Sequence, residues 1–133
     1  MKTTLITTLA ALVFGGGLTF HAAQAQPNGI KRVDIVRHDL HIPGQEFIQV
    51  RVDFAPGAAF GRHSHPGVEV AYVLKGTLEY QLDGKLPVTL KAGEALFIPA
   101  GTIHAARNVG TEDASELATY IIEKGKPPLT LAK

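Results

Sequence analysis

Downstream of residue 46 the chain repeatedly alternates apolar with polar side chains, a period that predicts strands rather than helices. Phe47–Phe54, FIQVRVDF, carries the alternation of a half-buried strand. Val68–Leu74 follows, rich in β-branched and aromatic residues. Thr77–Leu82 then runs into Asp83-Gly84, a hairpin turn whose glycine supplies positive φ. Shorter strands are predicted at Pro87–Lys91, closed by Ala92-Gly93, and at Ala95–Ile98, closed by Pro99-Ala100-Gly101. Ile103–Asn108 and Leu117–Glu123 complete the series. Turn signals at intervals of roughly 8 to 12 residues are those of an all-β sandwich or barrel. Gln26–Asn28 and the tail Lys124–Lys133, with Pro127-Pro128, read as extended arms, and a loose terminus is the ordinary expectation for them.

The first 25 residues follow a different pattern. Lys2 gives a positive start, Leu5–Phe20 is an apolar and small-residue run, and Ala23-Gln24-Ala25 forms an A-x-A site before Gln26. This is the plan of a secretory signal peptide, so residues 1–25 are expected to be cleaved and the domain to occupy 26–133. The apolar run is interrupted by Gly15-Gly16-Gly17 and falls short of the roughly 20 residues that a spanning helix needs. No membrane span is expected after removal, and the mature chain is expected to be exported, periplasmic or secreted.

Composition narrows the chemistry. Lys and Arg number 13 against 12 Asp and Glu, a formal net charge of +1. That balance leaves no footprint for nucleic acid. Cysteine is absent, which excludes disulfides, thiolate metal sites and a cysteine nucleophile. Stability must come from the core, and from oligomerisation where present.

The informative polar residues are histidines and one glutamate. His63 and His65 are two apart, so in extended chain both project to one face. Glu69 is four beyond His65 and keeps that parity if the strand continues; His104 sits on a later strand. Three imidazoles and a carboxylate converging in a barrel suit a borderline divalent ion with one or two positions open to water, substrate or dioxygen. His38 and His41 precede the predicted strands and are expected to be ordinary surface residues. Arg62 and Arg107 adjoin the histidines with opposite parity, which places them on the outer face. Phe54, Phe60, Phe97 and Ile98 are expected to pack the barrel or line its mouth, and Tyr72 and Tyr80 to serve the core or an interface.

These residues fall into two spaced motifs. Gly57–Gly76, GAAFGRHSHPGVEVAYVLKG, reads as glycine, five residues, H-x-H, three residues, glutamate, six residues, glycine. Gly93–Asn108, GEALFIPAGTIHAARN, reads as glycine, five residues, P-x-G, two residues, histidine, three residues, asparagine. Both resemble the paired motifs of the cupin superfamily, with a short spacer of 16 residues between them. The resemblance implies a single jelly-roll β-barrel (a double-stranded β-helix) of six to eight strands. It implies metal ligation by His63, His65, Glu69 and His104. Gly57, Gly76, Gly93, Pro99 and Gly101 would take the turn places, and Asn108 a structural one.

The bound metal would be one divalent transition ion: iron, manganese, nickel, copper or zinc. Cupins with this ligand set differ widely in chemistry, so the ligands alone do not choose a reaction. The leading expectation is a metal-dependent, dioxygenase-like enzyme acting on a small organic molecule, with Glu69 also serving as a base. Isomerase or lyase chemistry on a Lewis-acid metal is the alternative, as is a non-enzymatic module binding metal or a small ligand. By analogy with the superfamily, a homodimer is expected.

Overall fold

In the computed structural model, residues 27–133 are described, so the leader expected over residues 1–25 lies outside the described residues. The described residues fold as ten strands: β1 (Ile30–Asp39), β2 (Gln45–Phe54), β3 (Ala59–Ser64), β4 (Val68–Lys75), β5 (Thr77–Leu82), β6 (Val88–Lys91), β7 (Ala95–Ile98), β8 (His104–Asn108), β9 (Ala114–Glu123) and β10 (Thr130–Leu131). They form two five-stranded sheets, ordered β1-β2-β9-β4-β7 and β10-β3-β8-β5-β6, with every pairing antiparallel. This is the all-β jelly roll that the motifs imply. It has more strands than expected because β1 and β10 add to the sheet edges.

β2 shows how the sheets are held together. Its inward residues Ile48, Val50, Val52 and Phe54 are buried while their neighbours stay half-exposed, the alternation read from the sequence. Across from them, β9 turns Ala114, Ala118, Tyr120 and Ile122 inward, and the opposite sheet contributes Leu78, Tyr80 and Leu82. Ile98 and Phe60 complete the interior as expected, but Phe97 is 58% exposed on the outer face of β7. It follows the strict alternation of its short strand, whose partner face is taken by Ile98. Tyr72, likewise, lies outward on β4, whereas Tyr80 is fully interior.

Two close approaches fix the corners between sheets. Gly76 has φ 75°, and a Cβ there would stand 2.7 Å from the Ala114 Cβ. Gly67 lies at the passage from one sheet to the other, where a Cβ would fall 2.0 Å from the Ile121 carbonyl oxygen. Asn108 latches the end of the barrel. Its buried Nδ2 donates to the carbonyls of Phe54 (3.1 Å) and Glu112 (2.7 Å), and its Oδ1 accepts from Gly110 N at 2.9 Å. Such a buried amide stays satisfied only in this arrangement, so it specifies the loop as well as stabilising it.

Candidate metal centre

His63 and His104 face each other as cross-strand partners on β3 and β8, their rings 4.2 Å apart between centroids. A bulge makes this possible. The β3–β8 register shifts between Phe60 and His63, so Phe60 and His63 both point inward although three positions separate them. Gly61 and Arg62 occupy the bulge, and Arg62 turns outward to pair with Asp83 at 2.6 Å. Arg107 is likewise outside, 3.2 Å from Glu79. Both arginines therefore lie where their parity placed them. His38 is exposed, as expected of a residue outside the site.

Glu69 reaches the cluster by another route than the one its spacing suggested. β3 ends at Ser64, and the chain crosses at His65-Pro66-Gly67 into β4 of the opposite sheet. The carboxylate thus faces the histidines across the barrel rather than along a shared strand. His63, His65, Glu69 and His104 are all buried, and their possible ligand atoms lie within 4.8 Å of one another.

The protons on these imidazoles can be placed from their partners. The Nδ1 atoms donate to backbone carbonyls, which can only accept: His63 to Gly61 O at 2.7 Å, His65 to Pro128 O at 2.5 Å and His104 to Thr102 O at 2.9 Å. A neutral imidazole so bonded presents a bare lone pair at Nε2. His65 Nε2 and Glu69 Oε2 approach to 3.1 Å, both buried and both without a hydrogen-bond partner. His104 Nε2 stands 3.0 Å from the same oxygen. Acceptors crowded this closely away from water call for a proton or a metal cation between them. A divalent ion meets that need, and the three-nitrogen, one-oxygen donor set fits a borderline transition metal.

The electrostatics favour the protonation states that metal binding needs at His63 and Glu69, and oppose them at His104. Burial, helped by the neighbouring His104, lowers His63 to about 4, so its imidazole is neutral at neutral pH. Burial pushes Glu69 up, but the facing His104 and His65 outweigh it and hold the carboxyl down to about 2. His104 is pulled down by burial and more strongly up by Glu69 and the Thr102 carbonyl, ending above its ordinary value. A proton on His104 is therefore the metal's natural competitor.

Behind the cluster lies a cavity of about 10 Å³, lined also by Arg32, Phe60, Tyr80, Glu116 and Tyr120. Here the structure adds Arg32, Glu116 and Tyr120, polar residues that sequence reasoning passed over, and places Tyr80 in the core among them. Tyr80 Oη donates a short hydrogen bond to Glu116 Oε2 between the two sheets. Burial, and then the negative charge of Glu69, raise Glu116 to about 8. Burial, then Glu116 through its charge and hydrogen bond, and to a smaller extent Glu69 raise the Tyr80 phenol. Arg32 on β1 lies with its guanidinium carbon 5.8 Å from the Phe60 ring centroid and hydrogen-bonds Tyr120. Glu116 shares parity with Tyr120 and Ile122, the signal that places it inside.

Comparison with known proteins agrees with this architecture. Oxalate oxidase GF-2.8 of Triticum aestivum is 31% identical over 121 residues, 81% of this chain and 52% of that protein. Germin-like protein subfamily 2 member 2 of Arabidopsis thaliana is 37% identical over 87 residues, 59% of this chain and 40% of that protein. The chain thus spans about half the length of the curated relatives it matches. Among solved structures, an oxalate oxidase in complex with the substrate analogue glycolate superposes with a TM-score of 0.65 at 27% identity, covering 90% of this chain and 63% of that one. Residues 50–120, which contain all four clustered residues, match the Cupin domain profile, and the chain belongs to that family.

Proposed function

We propose that this chain is a metal-dependent oxidoreductase acting on a small organic acid, with dioxygen as the electron acceptor. The observation that carries the reading is the buried meeting of His65 Nε2 and Glu69 Oε2, two unpartnered acceptors beside two further imidazoles. The likeness to an oxalate oxidase, and to a solved one holding glycolate, supports the substrate class. His63, His65, Glu69 and His104 hold the ion, which would be iron, manganese, nickel, copper or zinc. When bound, it supplies Lewis acidity and, if redox-active, a path for electrons to dioxygen.

The chain's own residues do the rest. Arg32, the cation among the cavity-lining residues, attracts a carboxylate toward the centre. Phe60 and Tyr120 wall the cavity and exclude water. Glu69 also receives a proton from the substrate once its carboxylate is free of the ion. Glu116 keeps its own proton at neutral pH, with the Tyr80 hydroxyl donating to it, and returns a proton to the product. The protein works as an exported homodimer. The leader-like pattern of residues 1–25 supports export, and the exposed apolar residues Val70, Tyr72, Phe97 and Ile121 on one sheet face support pairing.

Metal content of protein purified from its own compartment, measured by plasma mass spectrometry beside a His63→Ala/His104→Ala control, is the first test. Near-stoichiometric redox-active metal, lost in the control, together with oxygen uptake on oxalate or glycolate, is the expected result. Zinc alone, with turnover that needs no oxygen, would transfer the assignment to isomerase or lyase chemistry. The small cavity favours one further reading, a metal-holding module without turnover. Tight metal binding with no reaction across a panel of small acids would establish it.

A further inference from the structure

The three imidazoles are not held alike. His63 and His104 donate to carbonyls two residues before them in the chain, Gly61 and Thr102, so their orientation is set locally. His65 lies past the end of β3, and its Nδ1 donates to Pro128 O, 63 residues away. That carbonyl belongs to the C-terminal tail, outside the stretch that matches the family profile. The tail is not the loose arm its composition suggests. After a turn at Gly125, Leu129 packs against the core, and Thr130 and Leu131 pair with Ser64 and His63 as β10. Ala132 N donates to Arg62 O at 2.9 Å. Pro127-Pro128 between these anchors has few backbone conformations to lose on docking.

We infer that residues 127–132 form a clasp that aims His65 at the metal, so that tail docking and metal retention are coupled. The inference rests on the reading of His63, His65, Glu69 and His104 as ligands. A carbonyl that fixes the tautomer and ring orientation of a ligand histidine typically contributes about 10- to 100-fold in metal affinity. Coupling is reciprocal, so bound metal in turn holds the tail down. Pro128 thus acts as a positioning residue through its backbone oxygen, and β10 serves the site as well as the sheet edge.

The test uses the full-length chain and Zn²⁺ in chelator competition. Leu129→Asp, which unpins the tail, and Pro128→Gly, which loosens it, are expected to weaken Zn²⁺ binding about 10- to 100-fold. In a His65→Ala background, Leu129→Asp should cost nothing further, whereas in a His104→Ala background it should still cost its full factor. A merely structural role would cost the same in both backgrounds, and that result overturns the clasp. Hydrogen exchange on the unsubstituted protein provides a second reading that does not depend on variants folding. Zn²⁺ should slow exchange of the Ala132 amide, and an unchanged rate overturns the coupling. Wild-type protein that takes up no Zn²⁺ would overturn both the ligand assignment and the clasp; Zn²⁺ bound with full affinity by Leu129→Asp would overturn the clasp alone.

Discussion

Glu69 and Glu116 stand on adjacent strands of one sheet, β4 and β9, both buried and both facing the same cavity. Their carboxyl groups nonetheless sit at opposite ends of the scale, Glu69 at about 2 and Glu116 at about 8. Burial pushes both upward, so desolvation cannot separate them. Neighbours do. Glu69 meets two imidazoles that favour its charge, while Glu116 meets the charge of Glu69 itself, which the hydrogen bond from Tyr80 only partly offsets. One end of the cavity is thereby built to hold a cation and the other to hold a proton. Two identical side chains acquire two roles from their surroundings alone.

The largest effect should come from removing the anion at the cation end. Glu69→Gln is expected to leave the chain folded and nearly metal-free after dialysis, by plasma mass spectrometry. Retention of one equivalent would mean that the imidazoles suffice and that the contrast between the two acids has no bearing on metal.

At the proton end, the contrast appears in the pH dependence of metal-free protein. With its folded value above the ordinary 4.5, Glu116 keeps a proton that the unfolded chain has released. Its contribution to stability is therefore fully present below about 4.5 and is lost as pH rises through the folded value near 8. Glu116→Gln should lose this component, leaving only the titrations common to both proteins, such as those of His63 and His104. Denaturant melts of both proteins should show the variant gaining on the wild type by on the order of a few kcal/mol as pH rises. A constant gap between the two curves would mean that Glu116 is ionised throughout.

The smallest effect is expected outside the barrel. Arg62 pairs with Asp83 beside the ligand-bearing bulge, yet both side chains are about half exposed. Arg62→Ala should cost no more than about 0.5 kcal/mol and leave metal content unchanged. A marked loss of metal would show that charge beyond the wall reaches the cluster and that the contrast is not local.

Much of this was legible in the residues. His63, His65, Glu69 and His104 stand at the positions of the paired motifs, and the alternation of Phe47–Phe54 announces its strand. What escaped did so for physical reasons. Ile30–Asp39, IKRVDIVRHD, is a strand whose alternation is broken by a bulge between Asp34 and Val36, so no period of two survives. Glu116 hides because the inward positions of β9 include small alanines while Leu117 and Ile121 point outward, which erases the contrast between faces. Thr130–Leu131 is too short to show a period, and its pairing is supplied by a strand far away in the sequence. Glu69 was found by motif although the parity argument for it failed, since β3, which carries His63, had already ended at Ser64.

The bulge in β3 has a consequence for how this barrel tolerates change in length. Because Phe60 and His63 share a face at a spacing of three through the extra residue between them, the inner wall is addressed in two frames along a single strand. Loss of one residue at Gly61 or Arg62 would remove the bulge and leave Phe60 and His63 two apart, still on one face and still opposite Ala106 and His104. The strand order and the inward set could both survive that loss, so the bulge is a place where this strand can shed a residue without giving up His63 to solvent.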